Sequence, residues 1–353
     1  MSPTYINRIA TVSPPHDVHH AFLEFGRGML AGNPRKAALF NRMAERCGIE
    51  HRYSVLTPGQ GDGVAVDADG FYRPGAFPGT ATRMRKYEEL APALVVSAVE
   101  KLLAGEDRAR ITHVIVTSCT GFSAPGLDLQ LVEHCGLNPG VERTMVGFMG
   151  CYAAINGLKL ARHIVRSQPQ ARVLAVNLEL CTLHLHETQD LEEMLSFLLF
   201  ADGCAAALVS ADPVGVAMES FKAALVPDTH DLIRWNIRDQ GFDMVLSGAV
   251  PAAIRTALAL SRADILGGAN DIDLWAVHPG GRSVLDAVEQ AFDLPPEALA
   301  ASRGVLRDNG NMSSGTVMFV LDRLMRDQVG GRGCAMSFGP GLVAETMLFR
   351  MAA

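Results

Sequence analysis

The chain has 353 residues, 48% hydrophobic and 20% charged, with a formal net charge of −7. This composition describes a globular protein with a sizeable core, which excludes a disordered chain, and the negative balance argues against a broad basic face for nucleic acid. No apolar run approaches the roughly 18–20 residues that a membrane-spanning helix needs; the longest, Met194 to Leu199, ends at Ala201-Asp202-Gly203.

The opening Met-Ser-Pro-Thr-Tyr-Ile-Asn-Arg has no hydrophobic leader or cleavage site, so a cytoplasmic location is expected. Seven scattered cysteines, an odd number without CxxC spacing, argue against a disulfide framework or a zinc knuckle and read mostly as small buried hydrophobes. His16, His19 and His20 fall in a polar stretch and are expected to be solvated. His184 and His186 alternate on a candidate strand, with no third metal ligand evident.

In chain order, Lys36–Cys47 reads as a helix. Thr57–Thr80, rich in Gly, Pro and Asp, is expected to form surface loops. A buried strand is expected over Arg110–Thr117, followed by a helix at Leu127–His134. A short strand at Arg143–Phe148 leads into a helix over about Tyr152–Arg166, and Ala171–Leu178 is another strand. Such alternation implies an α/β fold with buried, largely parallel strands. A weak duplication is visible. Strand Thr112–Thr117 precedes Leu129-Gln-Leu-Val-Glu-His, and strand Ile272–Val277 precedes Leu285-Asp-Ala-Val-Glu-Gln. Two such halves would bring strand-end loops to a shared centre, where open α/β sheets bind ligands.

Four segments could carry chemistry. Cys151 follows Val146-Gly-Phe-Met-Gly150 and precedes a helical run. That places it at a strand-to-helix elbow, where the helix N-terminus favours a thiolate and backbone N–H groups can hold an oxyanion. The alternative is a buried cysteine in an Ala-rich helix. His278 ends an apolar strand before Pro-Gly-Gly and is expected to be exposed at the strand's C-terminal end, as a catalytic residue or a loop histidine. Asn311 sits in Asp308-Asn-Gly-Asn-Met-Ser-Ser-Gly315, a turn feeding a helix start, where Ser313 and Ser314 also read as simple caps. Met336-Ser-Phe-Gly-Pro-Gly-Leu342 is a loop suited to close backbone approach or to a tight turn.

Taken in order, Gly150-Cys151, His278-Pro-Gly-Gly281, Gly310-Asn-Met-Ser-Ser314 and Phe338-Gly-Pro-Gly341 resemble the type III polyketide synthases, the chalcone-synthase-like family of the thiolase-type fold. The resemblance runs from Ile9 to Phe349. It implies a homodimer of chains with two duplicated βαβ-rich halves in a five-layered αβαβα arrangement, residues 1–212 carrying the cysteine and 213–353 the His and Asn. It also implies a reaction. Cys151 takes an acyl group from an acyl-CoA, malonyl-CoA is decarboxylated, and His278 and Asn311 stabilise the enolate that attacks the thioester on Cys151. The coenzyme A thioesters are then the only cofactor-like groups, with no metal, membrane or nucleic-acid partner.

Other positions carry over singly. Phe200 matches a gatekeeper phenylalanine. Arg42 and Arg46 match two of three basic residues at the coenzyme A mouth, the third matching the uncharged Leu39, and Gly280 and Gly281 belong to the same site. Ser337 begins a cyclisation loop continued by Phe338, Gly339, Pro340 and Gly341, where the family has glycine first. In the substrate cavity, Met244 matches a second gatekeeper phenylalanine, Trp235 a glycine, Cys119 a threonine, Ala124 a methionine contributed by the partner subunit, and Cys181 and His184 two further threonines; Ser313 completes the set. These departures from the plant chalcone synthases point to an aliphatic starter, two or three extensions and an alkylpyrone, resorcinol or phloroglucinol-type product. Two alternatives are a single-condensation ketoacyl synthase of fatty-acid initiation, fed by acyl carrier protein, and a catalytically silent thiolase-fold binding subunit.

Overall fold

The computed structural model describes residues 3–59, 66–269, 271–328 and 330–351. The described strands are β1 (Tyr5–Val12), β2 (His16–Asp17), β3 (Tyr53–Ser54), β4 (His113–Ser118), β5 (Glu142–Gly147), β6 (Val173–Leu180), β7 (Asp202–Ser210), β8 (Val216–Leu225), β9 (Ile233–Arg238), β10 (Gly241–Leu246), β11 (Leu274–Val277), β12 (Gly331–Gly339) and β13 (Val343–Met351). The helices are α1 (His19–Met29), α2 (Pro34–Arg46), α3 (Thr80–Leu102), α4 (Leu127–His134), α5 (Ala153–Ser167), α6 (Leu195–Leu199), α7 (Val250–Leu266), α8 (Arg282–Phe292), α9 (Ala300–Asn309) and α10 (Thr316–Arg326).

Nine strands join in the order β11-β12-β13-β8-β1-β7-β6-β4-β5. The two halves meet where β1 pairs β8 over only Tyr5↔Ala217 and Ile6↔Val216. On one side the run is β5-β4-β6-β7-β1, and on the other β11-β12-β13-β8. The second repeats the first in strand role and order, with no described counterpart of β5. The duplication expected from the sequence is therefore a duplicated sheet topology, and the α/β thiolase-like class stands.

Three cores define the layers. One packs α3 and α4 on β4, β6 and β7, through residues such as Tyr87, Val95, Leu131 and Val176. Another packs α7 and α8 on β11 and β12, through Ile254, Leu285 and Trp275. The third lies between the halves, where α5 and α10 contribute Ile155, Leu158, Val317 and Val320. Strands β4 and β6 are buried along their whole length, which is why they read as continuous apolar runs.

Several expectations need correction. The strands are not largely parallel. β4/β5, β4/β6 and β11/β12 are parallel, but β6/β7, β7/β1, β1/β8, β8/β13 and β12/β13 are antiparallel. The three residues between β12 and β13 allow only an antiparallel return. The segment 57–80 is not all surface loop, and residues 60–65 of it lie outside the described residues. Val66, Asp67 and Tyr72 are buried; Asp67 accepts hydrogen bonds from the Phe71 and Tyr72 N–H groups, and the Tyr72 hydroxyl donates to the Thr182 carbonyl. His19 is not solvated but buried, its Nδ1 accepting from Arg52 Nε at 3.0 Å. His184 ends a 3-10 turn, Cys181–His184, and is not on a strand.

Candidate active site

Gly147 ends β5, and the chain turns through Phe148 and Gly150, both at positive φ, into a 3-10 turn over Gly150–Tyr152 that leads into α5. Cys151 sits in that turn. Gly150 is required there, because at φ +69° a Cβ would also overlap the Pro340 ring. The loop after β12 thus closes directly onto the elbow that carries the thiol. Gly339 packs equally tightly, against the Tyr152 ring.

Cys151, His278 and Asn311 come together on one cavity of about 710 Å³. β11 delivers His278 at its C-terminal end, and the turn before α10 delivers Asn311. His278 is buried, not exposed as expected, because it lines the interior of the cavity, away from the exposed Leu39, Arg42 and Arg46 that line its outer end. Neither of its ring nitrogens has a hydrogen-bond partner among the described residues. Asn311 is held in one orientation: Oδ1 accepts the Ser313 N–H at 2.9 Å, and Nδ2 donates to the Gly280 carbonyl at 3.2 Å. The second amide N–H remains for a substrate oxygen. Phe200 lines the same cavity and is bridged to Asn311 as a short parallel pair. Behind it, the buried Arg52 guanidinium donates to the Phe200 carbonyl at 3.1 Å.

The electrostatics differ from the simple elbow expectation. Burial pushes the Cys151 thiol up to about 12, partly opposed by the Ser313 hydroxyl that donates to its sulfur. Burial alone pulls the His278 imidazole down to about 3. The short 3-10 turn at Cys151 does not outweigh desolvation. Both shifts favour the uncharged forms, a thiol and a neutral imidazole. Each shift reflects the cost of a lone charge in an apolar site. Passing the proton from sulfur to imidazole creates two opposite charges together and avoids most of that cost.

A second, inner cavity of about 30 Å³ adjoins the first and also touches Cys151. Cys119, Cys181, His184, Trp235, Met244, Ser313 and Pro340 line it. Met244 and Trp235 are cross-strand partners in the β9/β10 hairpin, which lies over the opening. The Trp235 indole donates to the Cys119 carbonyl at 2.7 Å. His184 stacks on Phe242 at 4.2 Å, its Nε2 hydrogen-bonded to the Thr120 carbonyl and its Nδ1 accepting the Phe242 N–H. His184, Phe200 and Trp235 supply the aromatic part of its lining. Cys119 accepts the Gly150 N–H at 3.0 Å, and burial raises its thiol well above the usual range.

The remaining expectations divide. Arg42, Arg46, Gly280, Gly281 and Phe338 line the large cavity, with Leu39 at its rim. Ser337 is buried without lining either cavity. Gly341 holds the hairpin instead, its N–H donating to the Ile233 carbonyl at 3.0 Å. Ala124 is exposed and lines neither cavity of its own chain; the expectation for it concerns a partner's cavity.

Sequence reasoning missed two features. Glu179 is wholly buried behind the site, accepting from the Cys119 N–H, the Thr120 hydroxyl and the Ser314 hydroxyl, and burial pushes its carboxyl up to about 7. A carboxylate inside a largely apolar strand was the available signal. The apolar wall formed by Leu195, Leu198, Leu246, Val250 and Ile254 left none, since those residues come from three separate segments.

Residues 32–213 match the N-terminal domain of the chalcone and stilbene synthases, and residues 217–353 match their C-terminal domain. Over 284 residues the chain is 34% identical to the Alpha-pyrone synthesis polyketide synthase-like Pks18 of Mycobacterium tuberculosis (strain CDC 1551 / Oshkosh), covering 76% of this chain and 72% of that protein. Over 335 residues it is 33% identical to Bisdemethoxycurcumin synthase of Oryza sativa subsp. japonica, covering 88% and 82%. Among solved structures, PKS-I from the brown alga Ectocarpus siliculosus superposes with a TM-score of 0.90 at 30% identity, over 100% of this chain and 99% of that one. The 1,3,6,8-tetrahydroxynaphthalene synthase of Streptomyces coelicolor A3(2), a bacterial type III polyketide synthase, superposes with a TM-score of 0.89 at 28% identity over the full length of both.

Proposed function

We propose the following reaction for this chain, which belongs to the chalcone and stilbene synthase family, the type III polyketide synthases, and is an acyltransferase. Cys151 passes its proton to His278 and attacks an aliphatic acyl-CoA, releasing coenzyme A and forming a thioester. Malonyl-CoA then loses CO2, and the enolate oxygen is held by the imidazole of His278 and the free amide N–H of Asn311. The enolate carbon attacks the Cys151 thioester, forming the new C–C bond and expelling the thiolate. The extended chain, now a coenzyme A thioester, returns to Cys151 with release of coenzyme A and the cycle repeats; an enol oxygen of the final coenzyme A thioester then attacks its carbonyl and expels coenzyme A, giving an alkylpyrone. The two halves divide at residues 212 and 213, in the turn between β7 and β8.

The observation that carries this reading is the pairing of one large cavity with one nearly closed lobe at the same sulfur. The apolar wall of the large cavity suits an alkyl starter. The inner lobe leaves little room for a long polyketide intermediate, which supports two extensions over three and a pyrone over a larger ring. The name of the mycobacterial relative, which refers to alpha-pyrone synthesis, points the same way.

Two copies of the chain complete the enzyme in this reading. β5 is an edge strand exposed along Glu142–Met145, and Phe122 is an exposed apolar side chain near its end, as expected of a strand covered by a second subunit.

Incubation with labelled malonyl-CoA and a panel of acyl-CoA starters tests the proposal. An alkylpyrone carrying two labelled units, formed from medium or long acyl chains, is the expected product. Labelled product from malonyl carrier protein alone, limited to one condensation, would replace this reading with that of an initiating ketoacyl synthase.

A further inference from the structure

Leu39, Arg42 and Arg46 lie along one face of α2 at the mouth of the large cavity, all three exposed. Neither arginine has a hydrogen bond or ion pair among the described residues. Two uncommitted cations with a leucine beside them form an incomplete anion site. Across the mouth, α8 begins at Arg282, directly after Gly280-Gly281. Arg282 lines the large cavity as well, together with an adjoining open groove of about 560 Å³ that contains Arg303 and Arg307. Its side chain runs toward the end of α2: a Cβ added at Gly48 would lie 3.8 Å from the Arg282 Cδ.

The charges on that side are unevenly matched. Arg303 is bound by Asp286 at 2.7 Å and Glu289 at 2.8 Å, and Arg307 by Asp308 at 2.7 Å. Among the described residues Arg282 has only Asp286, at 3.9 Å, a carboxylate already engaged by Arg303. Its side chain is 58% exposed, so this ion pair is weak. Arg282 is therefore the least committed of the three arginines lining the groove, and it lines the large cavity together with the two uncommitted cations of α2. It also stands at a helix N-terminus, where backbone N–H groups add to the positive potential. In a chain of net charge −7, such a rim concentrates anions at the cavity that leads to Cys151.

We infer that Arg282 is a substrate-binding residue, the third cation of a rim that holds the phosphates of the coenzyme A thioesters and takes over the charge that Leu39 lacks. The inference deepens the proposed function and rests on it for the identity of the carrier.

Equilibrium binding of free coenzyme A and of pantetheine, which lacks the phosphates, to this chain tests the inference. The wild type should bind coenzyme A more tightly than pantetheine. Arg282→Ala should weaken coenzyme A binding about tenfold and change pantetheine binding less than about twofold. Arg282→Lys, which keeps the charge, should recover most of the loss, and added salt should weaken coenzyme A binding alone. Arg282→Ala binding coenzyme A as tightly as wild type, or losing both ligands equally, would overturn the inference. A parallel turnover assay of the wild type with acyl and malonyl N-acetylcysteamine thioesters, which carry no phosphate, separates the two claims. Turnover without any phosphate-dependent coenzyme A affinity overturns the rim and leaves the condensation standing. Phosphate-dependent affinity through Arg282, with no C–C bond formed from any thioester, supports the rim and overturns the condensation.

Discussion

The hydroxyl of Ser313 donates to the sulfur of Cys151 across 3.6 Å, joining the two halves of the molecule at the thiol. Ser313 makes this contact from left-handed backbone, φ 46°, which a non-glycine residue adopts only when its surroundings hold it there. The Asn311 side chain does so, accepting the Ser313 N–H. Cys151, Asn311 and the strained Ser313 are therefore one connected unit.

Thiol reactivity should depend on His278. With the thiol pushed up to about 12, a lone Cys151 is almost wholly protonated at neutral pH. His278→Ala should slow iodoacetamide labelling of Cys151 at pH 7 by about 10²-fold, and labelling should recover as pH rises, because the thiolate fraction grows with each unit toward the thiol pKa. Mass spectrometry of the labelled peptide gives the rate. Equal labelling of wild type and variant at pH 7 would remove His278 as the proton acceptor.

Asn311→Ala should separate the two half-reactions. Its free N–H faces the enolate and not the thiol, so acyl loading onto Cys151 should persist within about threefold, while malonyl-CoA decarboxylation falls by about 10²–10³. Intact-protein mass and CO2 release measure the two steps. A parallel loss in both would show that Asn311 acts by holding Ser313 and Cys151 in place.

Product length should respond to Trp235. Trp235→Gly empties the inner lobe, and the product distribution should move toward one further malonyl unit, read by mass spectrometry of the extracted pyrones. Trp235 is only half-buried, so the stability cost should be about 2 kcal/mol, below that of a fully buried tryptophan. An unchanged product would place length control elsewhere in the large cavity.

Glu179 should leave a pH signature in stability. Its carboxyl holds a proton more tightly folded, at about 7, than at its ordinary 4.5. The native state is therefore favoured below 4.5, and that advantage disappears as pH climbs through about 7. Between those limits the wild type should lose about 3 kcal/mol relative to Glu179→Gln, whose amide does not titrate. Urea denaturation of both proteins at pH 5 and pH 8 checks the difference; parallel curves would show that water reaches the carboxylate.

Much of this was legible because it is local. The strand at β4, the elbow before α5 and the turn before α10 follow from apolar runs, glycines and caps that lie within a few residues of one another. Cys151 could be singled out on that basis but not separated from an ordinary buried cysteine, since its partners lie far along the chain. The ordered motifs made the connection through family resemblance, which reports on tertiary structure indirectly. Antiparallel returns in the sheet and the burial of His19, Val66, Asp67 and Tyr72 were misread for the same reason: burial depends on what a distant segment lays over a residue.

By itself, the sequence determined the class of fold, the order of the elements and the residue types available for thioester chemistry, because backbone propensity and apolar period act over short distances. Only the tertiary structure decided that burial holds the Cys151 thiol up and leaves the His278 ring nitrogens without a partner among the described residues, that Trp235 and His184 line an inner lobe of about 30 Å³, and that Arg282 lines one cavity with Arg42 and Arg46. Desolvation, cavity volume and charge pairing are sums over neighbours from separate elements, and those neighbours exist only once the chain has folded.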